Sequence, residues 1–174
     1  LAAKVLAPIG MTSSSFEPTP ALLQRVPAAE MWTYHDRTFE APTFPLGMAP
    51  AGSMYATMPD LGRFLSMLFA GGSGSGGRVL RASTLDSMWR PQFAPAGATR
   101  GAGIGFRIGA LDGARVVEHA GAIYGFATQL SALPDEKIGV AVSAAKDGVN
   151  ALTARIAREA LRLMRASRAG TPQT

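Results

Sequence analysis

The chain has 174 residues, of which 47% are hydrophobic and 17% are charged, and it contains no cysteine. This length and composition allow one globular domain with a substantial core, which excludes a disordered protein. The lack of cysteine excludes disulfides, thiolate metal sites and cysteine nucleophiles. The sequence contains neither an apolar run long enough to span a membrane nor a recognisable signal peptide, and it leaves the compartment open.

The net charge of +5 is concentrated near the C-terminus. Residues 149–174 have a local charge balance of +4, which comes from Arg155, Arg158, Glu159, Arg162, Arg165 and Arg168. No aromatic residue lies among them, although aromatic side chains often accompany basic residues in surfaces that bind nucleic acid. The pattern therefore predicts a solvated helix face and no nucleic-acid binding.

The N-terminal part of the chain shows little periodicity. Residues 1–6 resemble the last turns of a helix that ends before Pro8 and Gly10, which predicts that the chain begins within an element. Residues 11–52 contain many prolines and scattered aromatic residues. A long irregular segment inside a domain usually has a functional or covering role, and we expect one here.

Two capping sequences predict helix starts. Thr57–Asp60 has a hydroxyl three residues before a carboxylate, with Pro59 in the first turn. The apolar residues that follow at helical spacing, and that we expect to pack along the whole helix, are Leu61, Phe64, Leu65, Leu68 and Phe69. Ser83–Asp86 repeats the signal and predicts a short helix. The expected inner side of that helix is Leu85, Met88 and Trp89.

The glycine-rich segment 72–77 matches the pattern G-x-G-x-x-G. A dinucleotide-binding loop with this pattern follows a strand and opens a helix. Here the pattern follows a predicted helix and precedes Arg78–Leu80, so the order of elements is wrong for that function. We interpret it as a flexible surface loop.

Strand periodicity begins after Gly101, and short turn sequences separate four predicted strands. These strands cover residues 104–108, 114–118, 124–133 and 138–143. A final helix over residues 149–168 is expected to face inward with Val149, Leu152, Ile156 and Leu163. The sequence therefore predicts an α+β fold, in which an antiparallel sheet meander is covered by helices.

The two histidines of the chain require separate interpretations. They lie far apart without metal-ligand spacing, and no metal or other cofactor is predicted. His35 adjoins Asp36 in the irregular segment, where a local polar contact is the favoured interpretation over catalysis. His119 lies between a strand and the small residues Ala120–Ala122, where a ligand can approach the backbone. Spacing alone leaves a structural and a functional role for His119 equally open.

Three segments carry a family resemblance: A-P-I-G-M-T-S-S-S-F at 7–16, P-A-G-S-M-Y-A-T-M-P-D-L-G-R-F at 50–64, and E-H-A-G-A-I-Y-G-F at 118–126. In this order they resemble the serine beta-lactamase-related family, which joins class C beta-lactamases, penicillin-binding DD-peptidases and esterases. The resemblance extends from Leu1 to about Arg165. It implies the C-terminal part of a beta-lactamase/transpeptidase-like fold.

The resemblance also implies roles for residues of the third segment. His119-Ala120-Gly121 is similar to the family's Lys/His-x-Gly motif, whose first residue helps to orient the substrate and the proton network. The backbone N–H of Ala122 is similar to the second donor of the oxyanion hole, and His119 and Ala122 are the catalytic candidates. Gly121 and Tyr124 are the substrate-binding candidates. Histidine in place of lysine favours an esterase or peptidase over penicillin hydrolysis.

Two other family motifs are missing or displaced. No Tyr-x-Asn occurs, and the Ser-x-x-Lys at Ser143–Lys146 falls at the end of a predicted strand, after the third motif. The family has its Ser-x-x-Lys at the start of a buried helix, well before the third motif. We therefore interpret Ser143–Lys146 as a coincidence, and expect the nucleophile and base upstream of Leu1.

The sequence thus predicts that residues 1–168 are the C-terminal portion of a serine hydrolase domain and residues 169–174 a flexible tail. The expected partners are a small-molecule or peptide acyl substrate and an upstream fragment of the same domain. Alone, the chain is expected to be inactive and poorly soluble. The resemblance favours a periplasmic or secreted location.

Two other hypotheses remain open. One is a catalytically inactive module that binds peptides or glycans, suggested by the aromatic-rich segment from Trp32 to Phe44. The other is an unorthodox hydrolase that uses Ser143 and Lys146.

Overall fold

A five-stranded antiparallel sheet forms the centre of the computed structural model, which describes residues 1–44, 47 and 51–170. The sheet has the order β5-β6-β7-β8-β9, and two short hairpins lie outside it. The strands are β1 (Glu30–Trp32), β2 (Thr38–Glu40), β3 (Ser73–Gly74), β4 (Gly77–Arg78), β5 (Gly101–Ala102), β6 (Arg107–Leu111), β7 (Ala114–Ile123), β8 (Phe126–Leu133) and β9 (Ile138–Ala144). The α+β antiparallel architecture expected from the sequence is confirmed.

Helices cover both faces of the sheet. The α-helices are α1 (Ala7–Ile9), α2 (Pro20–Leu23), α3 (Met58–Phe69), α4 (Ala82–Met88) and α5 (Asn150–Arg168). A π-helical turn, Ala2–Leu6, precedes α1, and a 3₁₀ turn, Pro134–Glu136, connects β8 to β9. Among the described residues, no helix is long and apolar enough to cross a membrane.

Short turns explain why these strands form a meander. Asp112 and Gly113 join β6 to β7, and both have positive φ angles, 49° and 83°, as a tight hairpin turn requires. Four strands were expected from the sequence, but the structure has five in this sheet, because Gly101–Ala102 pairs with the start of β6. Ile104, expected in the first strand, lies in the loop between these two strands instead.

The sheet has a core on each face because side chains alternate along a strand. On one face, Val117 and Ala132 belong to a large buried cluster with residues of α3 and α4. On the other face, Val116 and Leu133 pack with Leu161 of α5. Neighbouring residues of β7 therefore belong to different cores.

The orientation of α5 differs from the sequence prediction. Its buried residues are Thr153, Ala157 and Leu161, whereas three of the four residues predicted to face inward are exposed: Leu152 by 48%, Ile156 by 47% and Leu163 by 51%. Small side chains at 153 and 157 let the helix approach the sheet closely. An apolar flank of α5 consequently faces outward, along a groove of about 370 Å³.

The arginines of α5 are not simply solvated, as the sequence analysis expected. Arg158 binds Glu118, Arg162 binds Asp112 and Glu159, and Arg165 binds Glu136. Three of these four carboxylates belong to β7 or to the turns of the sheet. The basic side chains therefore attach α5 to the sheet instead of forming a free cationic surface.

The N-terminal helix does not stop before Pro8. It continues to Ile9 and ends at Gly10, whose φ of 82° is the left-handed conformation typical of a helix end. The preceding turn widens into a π-helix, which accommodates a proline ring that lacks an N–H and crowds the previous turn.

Both predicted capping sequences are refined by the structure. The Thr57 hydroxyl accepts a hydrogen bond from the Asp60 N–H and caps α3 as predicted, but the buried Asp60 carboxylate is directed to the N-terminal segment. It accepts hydrogen bonds from the Ser13 N–H and the Ser14 hydroxyl. The second helix begins at Ala82, so Ser83 is not its cap.

The glycine-rich segment is an ordered hairpin and not a flexible loop. Strands β3 and β4 pair within it, and the Gly76 N–H donates to the Pro8 carbonyl at 2.9 Å. A Cβ on Gly74 would lie 2.2 Å from the same carbonyl oxygen. Glycine is therefore required at position 74 for close packing against α1.

The irregular N-terminal segment covers one end of the sheet. It includes α2 and the hairpin of β1 and β2, elements that the sequence analysis did not predict. Ala29 and Ala41 of this segment pack closely on the turn at Gly125, between β7 and β8. Residues 45, 46 and 48–50 of the segment, and 171–174 of the predicted tail, lie outside the described residues.

Candidate functional site

Strand β7 changes its surroundings halfway along its length. In the paired half, Ala114–Glu118, it pairs with β6. In the open half, His119–Ile123, it pairs with β8 only, because β6 begins at Arg107, opposite Glu118. The second edge of the open half therefore has no neighbouring strand among the described residues. The Lys/His-x-Gly-like motif lies entirely in this open half.

The strand register fixes the direction of the main-chain groups in the open half. A two-residue turn joins Ile123 to Phe126, so these two residues exchange hydrogen bonds as the closing pair of the hairpin. Alternation then directs the main-chain groups of Gly121 toward β8 and those of Ala120 and Ala122 toward the open edge. The Ala122 N–H, the candidate oxyanion donor, therefore faces an unpaired edge.

Gly121 has close neighbours that explain its lack of a side chain. A Cβ at this position would lie 2.3 Å from the Thr128 Oγ1 on β8, too close for any real contact. The Gly121 carbonyl accepts a hydrogen bond of 2.8 Å from the Asn150 Nδ2, at the start of α5. Gly121 is thus held between a strand and a helix.

The His119 side chain is exposed and makes no hydrogen bond or ion pair with a described residue. Its side chain lies on the sheet face of Val117, because the two positions are separated by one residue along the strand. That face belongs to the large core with α3, but His119 lies beyond the edge of this core. The imidazole is therefore available to a group on the open side of β7.

A polar network lies beneath the site, on the face of the sheet that α5 covers. Glu118 accepts hydrogen bonds from the Ser131 hydroxyl at 3.1 Å and from the Arg158 guanidinium at 3.0 Å. Gln129 donates to Ser131 at 2.9 Å. Because Glu118 is only 8% exposed, its charge requires these partners. The network fixes β7 immediately before His119.

Tyr124 lies at the turn that ends the open half and is 47% exposed. Its ring packs against Phe44 of the irregular N-terminal segment, which we call the covering segment, with ring centroids 5.0 Å apart. The structure thus brings the four predicted site residues, His119, Gly121, Ala122 and Tyr124, onto one stretch of strand and turn. It also adds an aromatic neighbour from a distant part of the chain.

The Ser-x-x-Lys match has the wrong structure for a nucleophile and its base. Ser143 lies in the extended strand β9, so no helical turn brings it to Lys146. The Lys146 ammonium is 2.6 Å from the Glu30 carboxylate and lies over the Trp32 ring, 4.0 Å from its centroid. These contacts hold the β1–β2 hairpin on the sheet and give Lys146 a structural role.

The described residues contain no group of three or more His, Asp or Glu side chains that could hold a metal ion. His35 lies in the turn between β1 and β2. Its main-chain N–H donates to the Thr33 hydroxyl at 3.3 Å, and this is a local contact of the hairpin turn.

An ion pair outside the site shifts the pKa values of both its partners. Arg162 binds Asp112 at 2.8 Å, in the turn between β6 and β7. This hydrogen bond lowers the pKa of Asp112 below its usual 3.8 and raises the pKa of Arg162. The pair attaches α5 to the far end of β7.

Sequence reasoning missed three residues that shape the open half: Asn150, Glu118 and Phe44. Asn150 is 29 positions from the carbonyl that it binds. Neither periodicity nor a local motif indicates a contact of this kind. Glu118 is a charged residue in a predicted strand, on the same face as the apolar Val116, and a charge at such a position is a usable signal for a paired carboxylate.

Comparisons with known proteins identify the family of the chain. The family model described as Beta-lactamase matches residues 1–163, and the chain belongs to this family. A human protein, beta-lactamase-like 1, is 31% identical over 139 residues, which cover 78% of this chain and 26% of that protein.

Solved structures share the fold at low sequence identity. The octameric penicillin-binding protein homologue from Pyrococcus abyssi has a TM-score of 0.77 and 23% identity, over 94% of this chain and 36% of its own. D-amino acid amidase from Ochrobactrum anthropi SV3, complexed with L-phenylalanine amide, has a TM-score of 0.72 and 22% identity, over 96% of this chain and 50% of its own. The chain therefore spans between a quarter and half of the length of these relatives.

Proposed function

We propose that this chain is the C-terminal portion of a serine hydrolase that forms and hydrolyses an acyl-enzyme from an ester, amide or beta-lactam. The observation that carries the proposal is the open half of β7, where the Ala122 N–H faces an unpaired edge beside an exposed His119. A main-chain N–H held by a sheet stabilises the negative charge of a tetrahedral intermediate without reorganisation.

In this proposal the residues of the open half have separate roles. Ala122 donates its N–H to the acyl oxygen, while His119 orients the substrate and joins the proton network. Gly121 and Tyr124 line the substrate, since they flank Ala122 along the strand and its turn. An aromatic pair of Tyr124 and Phe44 at this end suits an apolar part of the substrate.

The nucleophile and base come from residues outside this chain in the same proposal. No Tyr-x-Asn is present, and the Ser-x-x-Lys belongs to a strand with its lysine engaged by Glu30. The outward apolar flank of α5, at Leu152 and Ile156, supports an upstream partner segment. So does β9, an edge strand of the described sheet without a charged residue.

Fluorophosphonate labelling with peptide mapping tests the function. It is applied to this chain and to the product of the reading frame extended upstream of Leu1, here called the extended protein. We expect labelling of an upstream serine in the extended protein and none in this chain alone. A label on Ser143 would overturn the assignment of roles.

The second candidate function is a catalytically inactive module that binds peptides or glycans. Exposed rings on the covering segment favour it: Tyr34 is fully exposed, Phe39 is 45% exposed and Phe44 is 42% exposed. Absence of labelling in both proteins, together with saturable binding of a peptide or oligosaccharide, would support this candidate over the hydrolase.

A further inference from the structure

Asn150 makes an unusual contact for the first residue of a helix. Asparagine at a helix start commonly caps the helix by accepting a hydrogen bond from a backbone N–H. Here no side chain caps α5, and the Asn150 Nδ2 instead donates to the Gly121 carbonyl at 2.8 Å. Only the NH₂ group of the amide can face a carbonyl oxygen, so the chemistry fixes its orientation.

The carbonyl that Asn150 binds and the proposed oxyanion donor belong to one peptide unit. The peptide is planar, so a bond that fixes the Gly121 oxygen also fixes the direction of the Ala122 N–H. The register directs the Gly121 oxygen toward β8 and the Ala122 N–H toward the open edge, so the bond from Asn150 is a second restraint on this oxygen and adds to that of the strand pairing. A hydrogen bond on the oxygen also polarises the peptide, which makes its N–H a stronger donor.

We propose that Asn150 is a positioning residue that holds the Gly121–Ala122 peptide so that the Ala122 N–H is aimed at the acyl oxygen. This inference rests on the proposed function, in which Ala122 is an oxyanion donor. It gives α5 a part in the reaction through a contact with the carbonyl of the peptide and not with its N–H.

A purely structural role would give a different result. The helix is already held to the sheet by the buried side chains of Thr153, Ala157 and Leu161 and by the ion pair of Arg158 with Glu118. Loss of one further hydrogen bond should therefore lower stability only modestly. A positioning role predicts a lower kcat at unchanged KM, because the oxyanion exists only after the carbonyl is attacked.

The experiment compares Asn150→Asp, Asn150→Ala and Asn150→Gln in the extended protein, with an activated ester as substrate. Asn150→Asp keeps the shape but removes the donor, and an acidic residue at a helix N-terminus favours the helix. Losing a whole oxyanion donor costs about 10²–10³ in kcat, so we expect Asn150→Asp and Asn150→Ala to lower kcat roughly tenfold. Asn150→Gln retains a donor and should recover part of the loss.

Arg155→Ala is the matched control, because the Arg155 side chain is exposed on the same helix and makes no hydrogen bond or ion pair with a described residue. We expect it to match the wild-type protein in kcat. If Asn150→Asp also matches the wild-type protein, the positioning role is overturned. A rise in KM at unchanged kcat would likewise contradict it.

A second readout does not depend on activity. Labelling with ¹³C′-glycine and ¹⁵N-alanine selects the NMR signals of alanines that follow a glycine. The signal of Ala122 is identified as the one that disappears in the Ala122→Gly variant. Asn150→Asp should shift this ¹⁵N signal, and no shift would overturn the contact. If the extended protein is neither labelled by fluorophosphonate nor active, the proposed function fails. A shift of the Ala122 ¹⁵N signal would then still support the hydrogen bond from Asn150 to this peptide, but the peptide would have no oxyanion role.

Discussion

The two halves of β7 differ in their surroundings: the paired half lies between two cores, and the open half carries the candidate site. The paired half is bonded to β6, and Val116 and Val117 are fully buried in opposite cores. The open half continues with the same geometry, but β6 has ended and the side chains of His119 and Ala122 are exposed. The paired half therefore fixes the position of the open half, whose free edge is the candidate site. A site on a rigid strand needs little reorganisation during the reaction.

The largest effect is expected from Ala122→Pro. Proline removes the N–H at the open edge but interrupts no hydrogen bond to β8, so the strand should tolerate it. We expect kcat of the extended protein to fall by about 10²–10³, the usual effect of losing one oxyanion donor. Steady-state kinetics with an activated ester measures the change.

Ala122→Gly is the control for this change, because it alters the side chain and keeps the N–H. A folded Ala122→Pro protein with the activity of Ala122→Gly would show that this N–H is not an oxyanion donor.

A smaller effect on folding is expected in the paired half. Val116→Ala removes two methyl groups from a site with no solvent exposure, so we expect the free energy of unfolding to fall by about 2–3 kcal/mol. Ile123→Ala, in the open half, is the matched comparison. It should cost less because Ile123 is only partly buried. Denaturant unfolding of both variants measures the difference, and equal losses would contradict the division of β7.

At the boundary with β8, Gly121→Ala tests the close approach of Thr128. The new methyl group would overlap the Thr128 Oγ1, so we expect a loss of about 1–3 kcal/mol in the free energy of unfolding. Thr128→Ala removes the overlapping atom. The double variant should therefore recover part of the loss, and strictly additive losses would mean that another contact is responsible.

The smallest expected effect is a pH dependence of stability, which comes from the Asp112–Arg162 pair at the turn before the paired half. Arg162 lowers the pKa of Asp112, so the ionised carboxylate stabilises the folded protein above pH 3.8, and this contribution is lost as the pH falls through the lowered pKa. Asp112→Asn retains a residue suited to the positive φ angle and removes the charge. Its melting temperature should lie slightly below that of the wild-type protein at neutral pH and converge with it in acid. A constant difference across pH would contradict the assignment.

Much of the fold could be predicted because its signals are local. The start of α3 at Thr57 and the turns at Asp112–Gly113 and Pro134–Lys137 follow from residue types that favour caps and tight turns. The site motif could also be recognised, since His119, Gly121 and Ala122 are consecutive in one strand. Local patterns of this kind do not depend on what packs against them.

Other features required the tertiary structure. The inward face predicted for α5 was wrong. Leu152 and Ile156 are more hydrophobic than Thr153 and Ala157, but the two smaller residues face the sheet. The distance at which a helix can approach a sheet depends on side-chain volume at the contact as well as on hydrophobicity. The covering hairpin likewise depends on Lys146 and Gly125, which are distant in sequence.

By itself, the sequence determined the class of fold, the family and the strand that carries the candidate site. Only the tertiary structure decided that β6 begins opposite Glu118, that the Ala122 N–H therefore faces no other strand among the described residues, and that Asn150 binds the carbonyl of the same peptide. The physical reason is that a free backbone edge is defined by where a neighbouring strand stops. That boundary depends on pairing between segments that are distant in sequence, whereas turns and helix caps depend on residues that are adjacent in sequence.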